Sequence, residues 1–317
     1  MPRKRSSPPS QLRIPRRLPR SAVGIAVLAV TLGVAAYQTY QKQSAEIRRS
    51  QTPTAAVTPK SHWLLGNPSD AGSDPDNFLL LKEYFVASYN NAKGTPNWVS
   101  WRLTKDDIGE APRRNKFSTD VTLPPAFTRI AERDYSNSGF DRGHLCPHGD
   151  RSKNQEMSYA TFVMTNIIPQ APNVNEKAWN MLEIYCRGIA KKENARLYIT
   201  AGAAGKGGVG ERGRRESFAA DRVTVPAVCW KVIVIVPEDG TEDLTDVTEQ
   251  CRVIAVIMPN DNAVGYDWAQ YRVSTDQVEK STGYHFFTAL PAELAGKLRM
   301  KIDREYIEPQ QPPAHFN

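Results

Sequence analysis

The run from Val228 to Val236 (VCWKVIVIV) is apolar and largely β-branched, which is typical of a buried β-strand. A second run of the same character, Val253 to Met258 (VIAVIM), follows after the polar segment Pro237 to Gln250. Two such runs joined by a polar connection predict two central strands. Further strands are predicted at Asn97 to Leu103, which alternates aromatic or apolar with polar residues, and at Leu197 to Thr200.

Helices are predicted at Asn175–Lys192, which opens with an asparagine and ends with two lysines, and at Pro291–Lys301. The mixed order of elements indicates an α+β protein with a central antiparallel sheet flanked by helices. The loop Gly205–Gly210 lacks the Lys-Ser or Lys-Thr pair of a phosphate-binding loop, so a hairpin loop is expected there. Three nearby arginines are candidates for contacts with a nucleic-acid backbone: Arg212, Arg214 and Arg215.

The formal net charge of +7 is not spread over the chain. Seven of the 41 basic residues lie in residues 1–20, which contain no acid, so 34 basic residues face 34 acidic ones in the remainder. Any phosphate-binding field must therefore come from local clusters of side chains.

The basic segment 1–20 precedes an uncharged stretch of 20 residues, Ser21 to Tyr40. This length is about that of one membrane-spanning helix, and the preceding positive charge favours a cytoplasmic N-terminus with the remainder exported. Two interpretations stay open. The helix is either a signal anchor that remains in the membrane or a signal peptide that is cut after Ala36.

The rest of the chain divides into three parts. Residues 41–60 have the composition of a linker, and residues 307–317, which contain three prolines, form a tail. Between them, residues 61–306 are enough for one large core, with no internal repeat. The four cysteines are not spaced as a dense disulfide framework, and free buried thiols are expected: Cys146, Cys186, Cys229 and Cys251.

Chemistry is concentrated in the tetrad Asp141-Arg142-Gly143-His144 and in the run from Pro172 to Glu183. A histidine beside an arginine can take a proton next to a phosphate. An asparagine that opens a helix, Asn175, can bind a hard cation through its amide oxygen. A later carboxylate, Glu183, can orient the waters of that cation. Together these residue types point to metal-assisted cleavage of a phosphodiester.

The spacing of Asn175, Trp179 and Glu183 places them on one stripe of a helix. Along an α-helix Asn175 and Glu183 would be about 12 Å apart, so both cannot bind one ion directly. A single amide ligand leaves most positions to water and phosphate, which suits Mg²⁺. Zinc is disfavoured because no cysteine, histidine and carboxylate set has zinc-ligand spacing.

These motifs closely resemble the DNA/RNA non-specific endonuclease family, the ββα-metal nucleases that include cyanobacterial sugar-non-specific nucleases and mitochondrial endonuclease G. The resemblance covers roughly Trp63 to Leu298. It is carried by several segments in the same order: Gly94–Trp101, Tyr135–His144, Phe162–Gln170, Asn175–Glu183, and Thr282-Gly283 with Phe286-Phe287.

The resemblance implies a role for each matching residue. It makes His144 the general base, Asn175 the only direct protein ligand of the metal, and Glu183 a carboxylate that acts through water. It also implies Mg²⁺, with Mn²⁺ as the expected substitute, DNA and RNA as substrates, and products with 5′-phosphates. No protein partner is identifiable from the sequence.

Three arginines match family positions near the phosphate: Arg113, Arg142 and Arg187. Arg114 next to Arg113 is the alternative in that alignment. Glu183 and Arg187 are also four residues apart and can form a plain helix salt bridge. Where the family often has small residues, this chain has Cys146 and His148. Pro147 between them interrupts any helix, so a metal shared by His144 and His148 is not expected.

A second class of function is a membrane-tethered nucleic-acid-binding protein without catalysis. That class predicts the loss of His144 or Asn175, and both are present. A metallopeptidase lacks a ligand set here. If residues 21–40 are not cleaved, they make the membrane a further partner.

Overall fold

The computed structural model describes residues 62–238, 241–305 and 307. Its strands in chain order are β1 (Phe78–Leu81), β2 (Val86–Asn90), β3 (Thr95–Leu103), β4 (Asp141–His144), β5 (Ile167–Gln170), β6 (Ala195–Ala204), β7 (Gly208–Gly210), β8 (Gly213–Arg215), β9 (Ser217–Phe218), β10 (Val223–Thr224), β11 (Val228–Pro237), β12 (Arg252–Pro259) and β13 (Arg272–Val273). The α-helices are α1 (Gln155–Ala160), α2 (Asn180–Lys192), α3 (Thr275–Thr282) and α4 (Ala292–Arg299).

Seven strands form one antiparallel sheet in the order β1-β2-β3-β6-β11-β12-β13. β11 lies between β6 and β12, with Val232 opposite Thr200 on one side and Ala255 on the other. The runs that predicted two central strands are therefore paired inside the sheet. The predicted strands at Asn97–Leu103 and Leu197–Thr200 lie within β3 and β6.

Both faces of the sheet are covered, which explains why β11 is apolar at successive positions instead of alternating. Ile233 and Ile235 point into a core shared with Trp101 of β3 and with Leu182 of α2. Trp230 and its even-numbered neighbours on β11 point into a second core. That core also contains side chains from α3 and α4: Val278, Ala295 and Leu298.

The layer on the α2 side carries the candidate site. β4 and β5 form an antiparallel pair, with Asp141 opposite Gln170 and His144 opposite Ile167. The chain then enters a π-helical turn, Val174–Trp179, which continues directly into α2. The predicted helix at Asn175–Lys192 is thus confirmed, but its first turn is π-helical, so the spacing of a regular α-helix does not apply there.

Several other expectations can be compared with the structure. The helix predicted at Pro291–Lys301 is α4. The hairpin loop expected at Gly205–Gly210 is in part strand β7, which pairs with β8 so that the turn falls after Gly210. All four cysteines are buried and free. Strands β1 and β2 and helices α1 and α3 were not predicted, because segments of four to eight residues show too little periodicity.

The proposed N-terminal elements lie outside the described residues. These are the basic segment 1–20, the hydrophobic stretch 21–40 and the linker 41–60. Most of the tail 307–317 also lies outside them. Within the part that the structure describes, no helix is long and apolar enough to cross a membrane.

Candidate active site

Strand β4 places the tetrad across from β5, with Asp141 at one end and His144 at the other. Gly143 is required at its position. A Cβ there would lie 2.0 Å from Oε1 of Gln170, whose side chain crosses the glycine. The β4–β5 pair is therefore tightly packed at Gly143, and Asp141 and His144 lie at the two ends of β4.

Two hydrogen bonds tether the following helix to β4. Nδ2 of Asn175 donates to Oδ2 of Asp141 at 2.9 Å, and Nε1 of Trp179 donates to the backbone carbonyl of His144 at 3.3 Å. Trp179 is otherwise buried in the core. These bonds bring both ends of the tetrad to one side of the helix.

His144 is buried against two aromatic rings. Its ring meets the edge of Phe162 at 4.7 Å between centroids, and Phe117 lies at 5.3 Å. Nε2 is buried and has no hydrogen-bond partner among the residues described. Burial, with the positive charges of Arg113 and Arg142 and a contribution from His148, lowers the pKa of His144 to about 3. The imidazole is therefore neutral at neutral pH in the absence of substrate, and a phosphate anion beside it would favour its protonation.

Two of the predicted arginines stack on the same two aromatic rings that pack against His144. The guanidinium of Arg113 is over Phe162 at 5.4 Å, and that of Arg142 is over Phe117 at 5.1 Å. Arg114 instead lies over Tyr159 at 5.3 Å. Since Arg113 is also close enough to affect the pKa of His144, it is the member of the 113–114 pair that faces this histidine.

Glu183 and Arg187 lie four residues apart on α2. Arg187 Nη1 is 4.0 Å from Glu183 Oε2 and donates to Oδ1 of buried Asp150 at 3.0 Å. The helix salt bridge anticipated for this pair is present but loose, and the closer partner of Arg187 is Asp150. Burial raises the pKa of the Glu183 carboxyl to about 7, against the opposing effects of Lys231 and Arg187.

The surroundings of Asn175 suit a cation bound through one amide oxygen. The carboxylate of Asp141 can only accept, so the amide turns its NH₂ toward Asp141 and leaves Oδ1 without a donor among the described residues. Burial raises the pKa of both Asp141 and Glu176, and nearby Glu211 adds to each effect. In the described part of the chain, no three His, Cys, Asp or Glu side chains form a metal-binding group. An ion bound there could take Oδ1 of Asn175 as a neutral ligand, together with further oxygen ligands.

The sequence pattern of the DNA/RNA non-specific endonuclease family matches residues 68–293, most of the chain. This chain belongs to that family. Its members are nucleases that depend on a metal ion, and the resemblance inferred from the separated motifs is confirmed.

Individual relatives in the family span most of the chain. It is 39% identical over 277 residues to a nuclease of Nostoc sp., covering 86% of this chain and 97% of the relative. It is 30% identical to the mitochondrial nuclease EXOG of Xenopus laevis, with 91% and 77% coverage. Among solved structures, that of an EndoG/EndoGI complex matches with a TM-score of 0.60 at 25% identity, covering 77% of this chain and 95% of the other. The mixed α/β fold with a large antiparallel sheet is thus shared with that solved structure.

Two buried charged residues of this chain, Lys231 and Asp150, were not predicted from the sequence. Nζ of Lys231, on β11, is 3.7 Å from Oε1 of Glu183 and lies 4.1 Å from the ring centroid of Trp179. Asp150 accepts from Arg187 and, at 2.9 Å, from Nε1 of Trp101. The signal for Lys231 was available, since it is the only charge in the run from Val228 to Val236. A lysine buried in a strand needs a partner, and Glu183 is that partner.

The predicted site residues thus form two connected groups. In the first group, His144, Arg113 and Arg142 pack against the rings of Phe117 and Phe162. The residues of the second group are joined by ion pairs: Glu183, Arg187, Asp150 and Lys231. Asn175 is connected to the first group through its bond to Asp141 on the same strand as His144.

Proposed function

We propose that this chain is a metal-dependent endonuclease that hydrolyses phosphodiester bonds of both DNA and RNA and leaves 5′-phosphate ends. The observation that carries the proposal is His144, a buried neutral imidazole whose Nε2 has no partner among the described residues and whose charged neighbours are Arg113 and Arg142. A base flanked by arginines suits a reaction in which a proton is removed beside an anionic phosphate.

In the proposed reaction, Nε2 of His144 takes a proton from the water that attacks phosphorus. The bond from phosphorus to the 3′ oxygen breaks, and this oxygen leaves with a proton from solvent as a 3′-hydroxyl. Arg113, Arg142 and Arg187 offset the charge that builds on the phosphate oxygens. The attacker is water and not a 2′-hydroxyl, which is why both DNA and RNA are proposed as substrates.

Asn175 is proposed to hold the metal through Oδ1, with Asp141 fixing the orientation of the amide. Glu183 is proposed to orient water around the ion, itself held by Lys231 and Arg187. Mg²⁺ is the proposed ion, with Mn²⁺ as a substitute, because both prefer oxygen ligands. When bound, it would supply positive charge at the phosphate and the leaving oxygen.

The β4–β5 hairpin and the helix that follows it support the further proposal that the site is a ββα-metal unit. Recognition through arginines and backbone phosphates carries little base information, so sequence preference is proposed to be weak. The nuclease domain is proposed to extend over residues 61–306, between the linker 41–60 and the tail 307–317.

We also propose that the nuclease faces the outside of the cytoplasm, through the basic segment 1–20 and the uncharged segment 21–40. An unspecific nuclease retained inside would attack the host genome. A C-terminal alkaline phosphatase fusion, which is active only after export, should be active. An inactive fusion alongside an active cytoplasmic reporter would reject this topology. Fractionation then separates an anchored full-length form from a soluble form that begins near Tyr37.

The experiment that tests the function is incubation of the purified chain with circular DNA and with RNA, in Mg²⁺ and in EDTA. Cleavage of both that stops in EDTA supports the proposal. Products that require phosphatase treatment before a kinase can label them carry 5′-phosphates. Binding without cleavage would support the rival proposal of a nucleic-acid-binding protein without catalysis.

A further inference from the structure

A groove of about 450 Å³ opens beside Arg187, outside the contacts described for the site. One wall is a face of α2 formed by Ile184, Arg187, Gly188 and Lys191, whose spacing of three, four and seven residues places them side by side. The opposite wall consists of the segments 108–111 and 148–149 together with residue 152.

The groove is continuous with the catalytic residues. Arg187 lines it and also bonds Asp150 in the charged cluster under the site. His148 lines it as well, and its ring lies 6.1 Å from Phe162, the ring that packs on His144. A strand held at His144 therefore meets this groove on leaving the site.

The charges along the groove favour an anion. Arg187 and Lys191 are the positively charged residues that line it, and Glu110 is the acidic one. Lys191 is exposed and makes no hydrogen bond or ion pair with the described residues. Apart from the favourable effect of a positive charge in the last turn of α2, which Lys192 shares, its ammonium group is available to a ligand.

Two glycines keep the groove open. At Gly149 a Cβ would lie 2.9 Å from Nη1 of Arg187, so glycine lets the guanidinium lie over the backbone. At Gly188 a Cβ would meet nothing within 4 Å, so the described packing does not require glycine there. Glycine inside a helix destabilises it relative to alanine. A groove that must admit a ligand close to the helix backbone accounts for Gly188.

His148 is the polar side chain at the end of this groove nearest to Phe162. Its Nδ1 is 3.2 Å from Oγ of Ser158. Burial, then the positive charges of Arg113 and Arg187, lowers the pKa of His148, and Asp150 opposes this effect. The neutral ring can donate a hydrogen bond to a phosphate or sugar oxygen without adding charge to the site.

We propose that this groove binds the sugar–phosphate backbone of the substrate strand on one side of the scissile phosphate, with Arg187 at its inner end and Lys191 facing a phosphate further along. Arg187 and Lys191 are four residues apart, about 6 Å along the helix axis. The two side chains can therefore contact separate phosphates of one strand. The proposal rests on the proposed nuclease function and extends it to a binding site for the flanking strand.

Charge variants of the full chain test the proposal through binding of a long single-stranded DNA in EDTA over a range of salt concentrations. Lys191→Ala should weaken binding and lower the slope of log K against log salt by about 0.7, the value for one phosphate contact on a single strand. Glu110→Gln should strengthen binding. Lys192→Ala is the matched control, because Lys192 is equally exposed on the same helix and does not line the groove.

A steric variant tests occupancy. Gly188→Leu has open space at its Cβ and a better helix former, so it should fold, which circular dichroism checks. It should raise KM for long strands at least several-fold and reduce the gain in kcat/KM that longer oligonucleotides give the unmodified chain.

If Lys191→Ala keeps the wild-type salt slope and Gly188→Leu keeps the wild-type KM, the proposal that this groove binds the substrate strand is wrong. Equal losses in Lys191→Ala and Lys192→Ala would also overturn it, because they would show a general effect of charge. The salt slopes do not depend on whether the unmodified chain cleaves DNA, since binding is measured in EDTA, whereas the KM comparison requires cleavage. Absence of cleavage by the unmodified chain would instead remove the proposed function.

Discussion

Nδ2 of Asn175 donates a hydrogen bond of 2.9 Å to Oδ2 of Asp141. This bond orients the amide so that its oxygen, Oδ1, is available to the proposed metal ion. An amide has two nearly equal orientations, and only one of them presents an oxygen to a cation. The carboxylate selects that orientation because it cannot donate. The first residue of the tetrad thus controls the proposed metal ligand 34 positions later.

Replacing Asp141 should therefore impair use of the metal. In Asp141→Asn the partner can accept or donate, so the Asn175 amide is no longer held in one orientation. The Mg²⁺ concentration for half-maximal cleavage should rise, and Asn175→Ala should raise it further. Raising Mg²⁺ should recover part of the activity in both, because the remaining ligands are proposed to be water and phosphate. A wild-type Mg²⁺ titration in Asn175→Ala would show that Asn175 is not the ligand.

Removing the imidazole of His144 should remove the proposed base and leave the fold intact. Loss of a general base typically lowers the rate by about 10²–10⁴. The measurement is kcat on DNA for His144→Ala, with circular dichroism to verify folding. His285→Ala is the control, since His285 is an exposed histidine with no part in the site. Near-wild-type rates in the folded His144→Ala variant would contradict the assignment.

Lys231 should matter for stability and for the position of Glu183. Removing one partner of a buried ion pair typically costs about 3–5 kcal/mol, because the other charge stays buried. Lys231→Met should therefore lower the free energy of unfolding in urea at pH 8, where the Glu183 carboxyl of the wild type is ionised. Adding Glu183→Gln should restore part of that loss, since no unpaired carboxylate remains. Additive effects of the two changes would show that the 3.7 Å contact contributes nothing.

Glu183 should also make stability depend on pH. Its carboxyl has a pKa of about 7 in the folded protein, above the ordinary value of 4.5, so the folded state holds the proton more tightly. The resulting stabilisation is complete below pH 4.5 and is lost as the pH rises through about 7. Relative to Glu183→Gln, the wild type should lose on the order of 3 kcal/mol over this interval.

The comparison with Glu183→Gln is necessary because histidines act in the opposite direction. The pKa of His144 is lowered to about 3, so its neutral form stabilises the fold above pH 6.5 and this effect is lost as the pH falls. Urea unfolding of both proteins at pH 4.5, 6 and 8 separates the two effects. A constant difference across these pH values would contradict the raised pKa of Glu183.

The sequence by itself determined the elements with local signals. The apolar runs of β11 and β12 indicated buried strands because every residue in them gains from burial on a sheet covered on both faces. The asparagine start and lysine end of the Asn175–Lys192 segment indicated its helix. Short elements such as β1 and α1 were missed, because four or six residues carry too little periodicity to stand out.

The candidate residues were likewise visible in the sequence, since several motifs in fixed order identify the family. Only the tertiary structure decided what surrounds them. Lys231 meets Glu183 because β11 passes under α2, and His144 loses its charge because Phe117 and Phe162 exclude water from it. Burial and ion pairing depend on residues brought together from distant parts of the chain. Local sequence patterns do not encode those distances, and the packing of the helix against the sheet sets them.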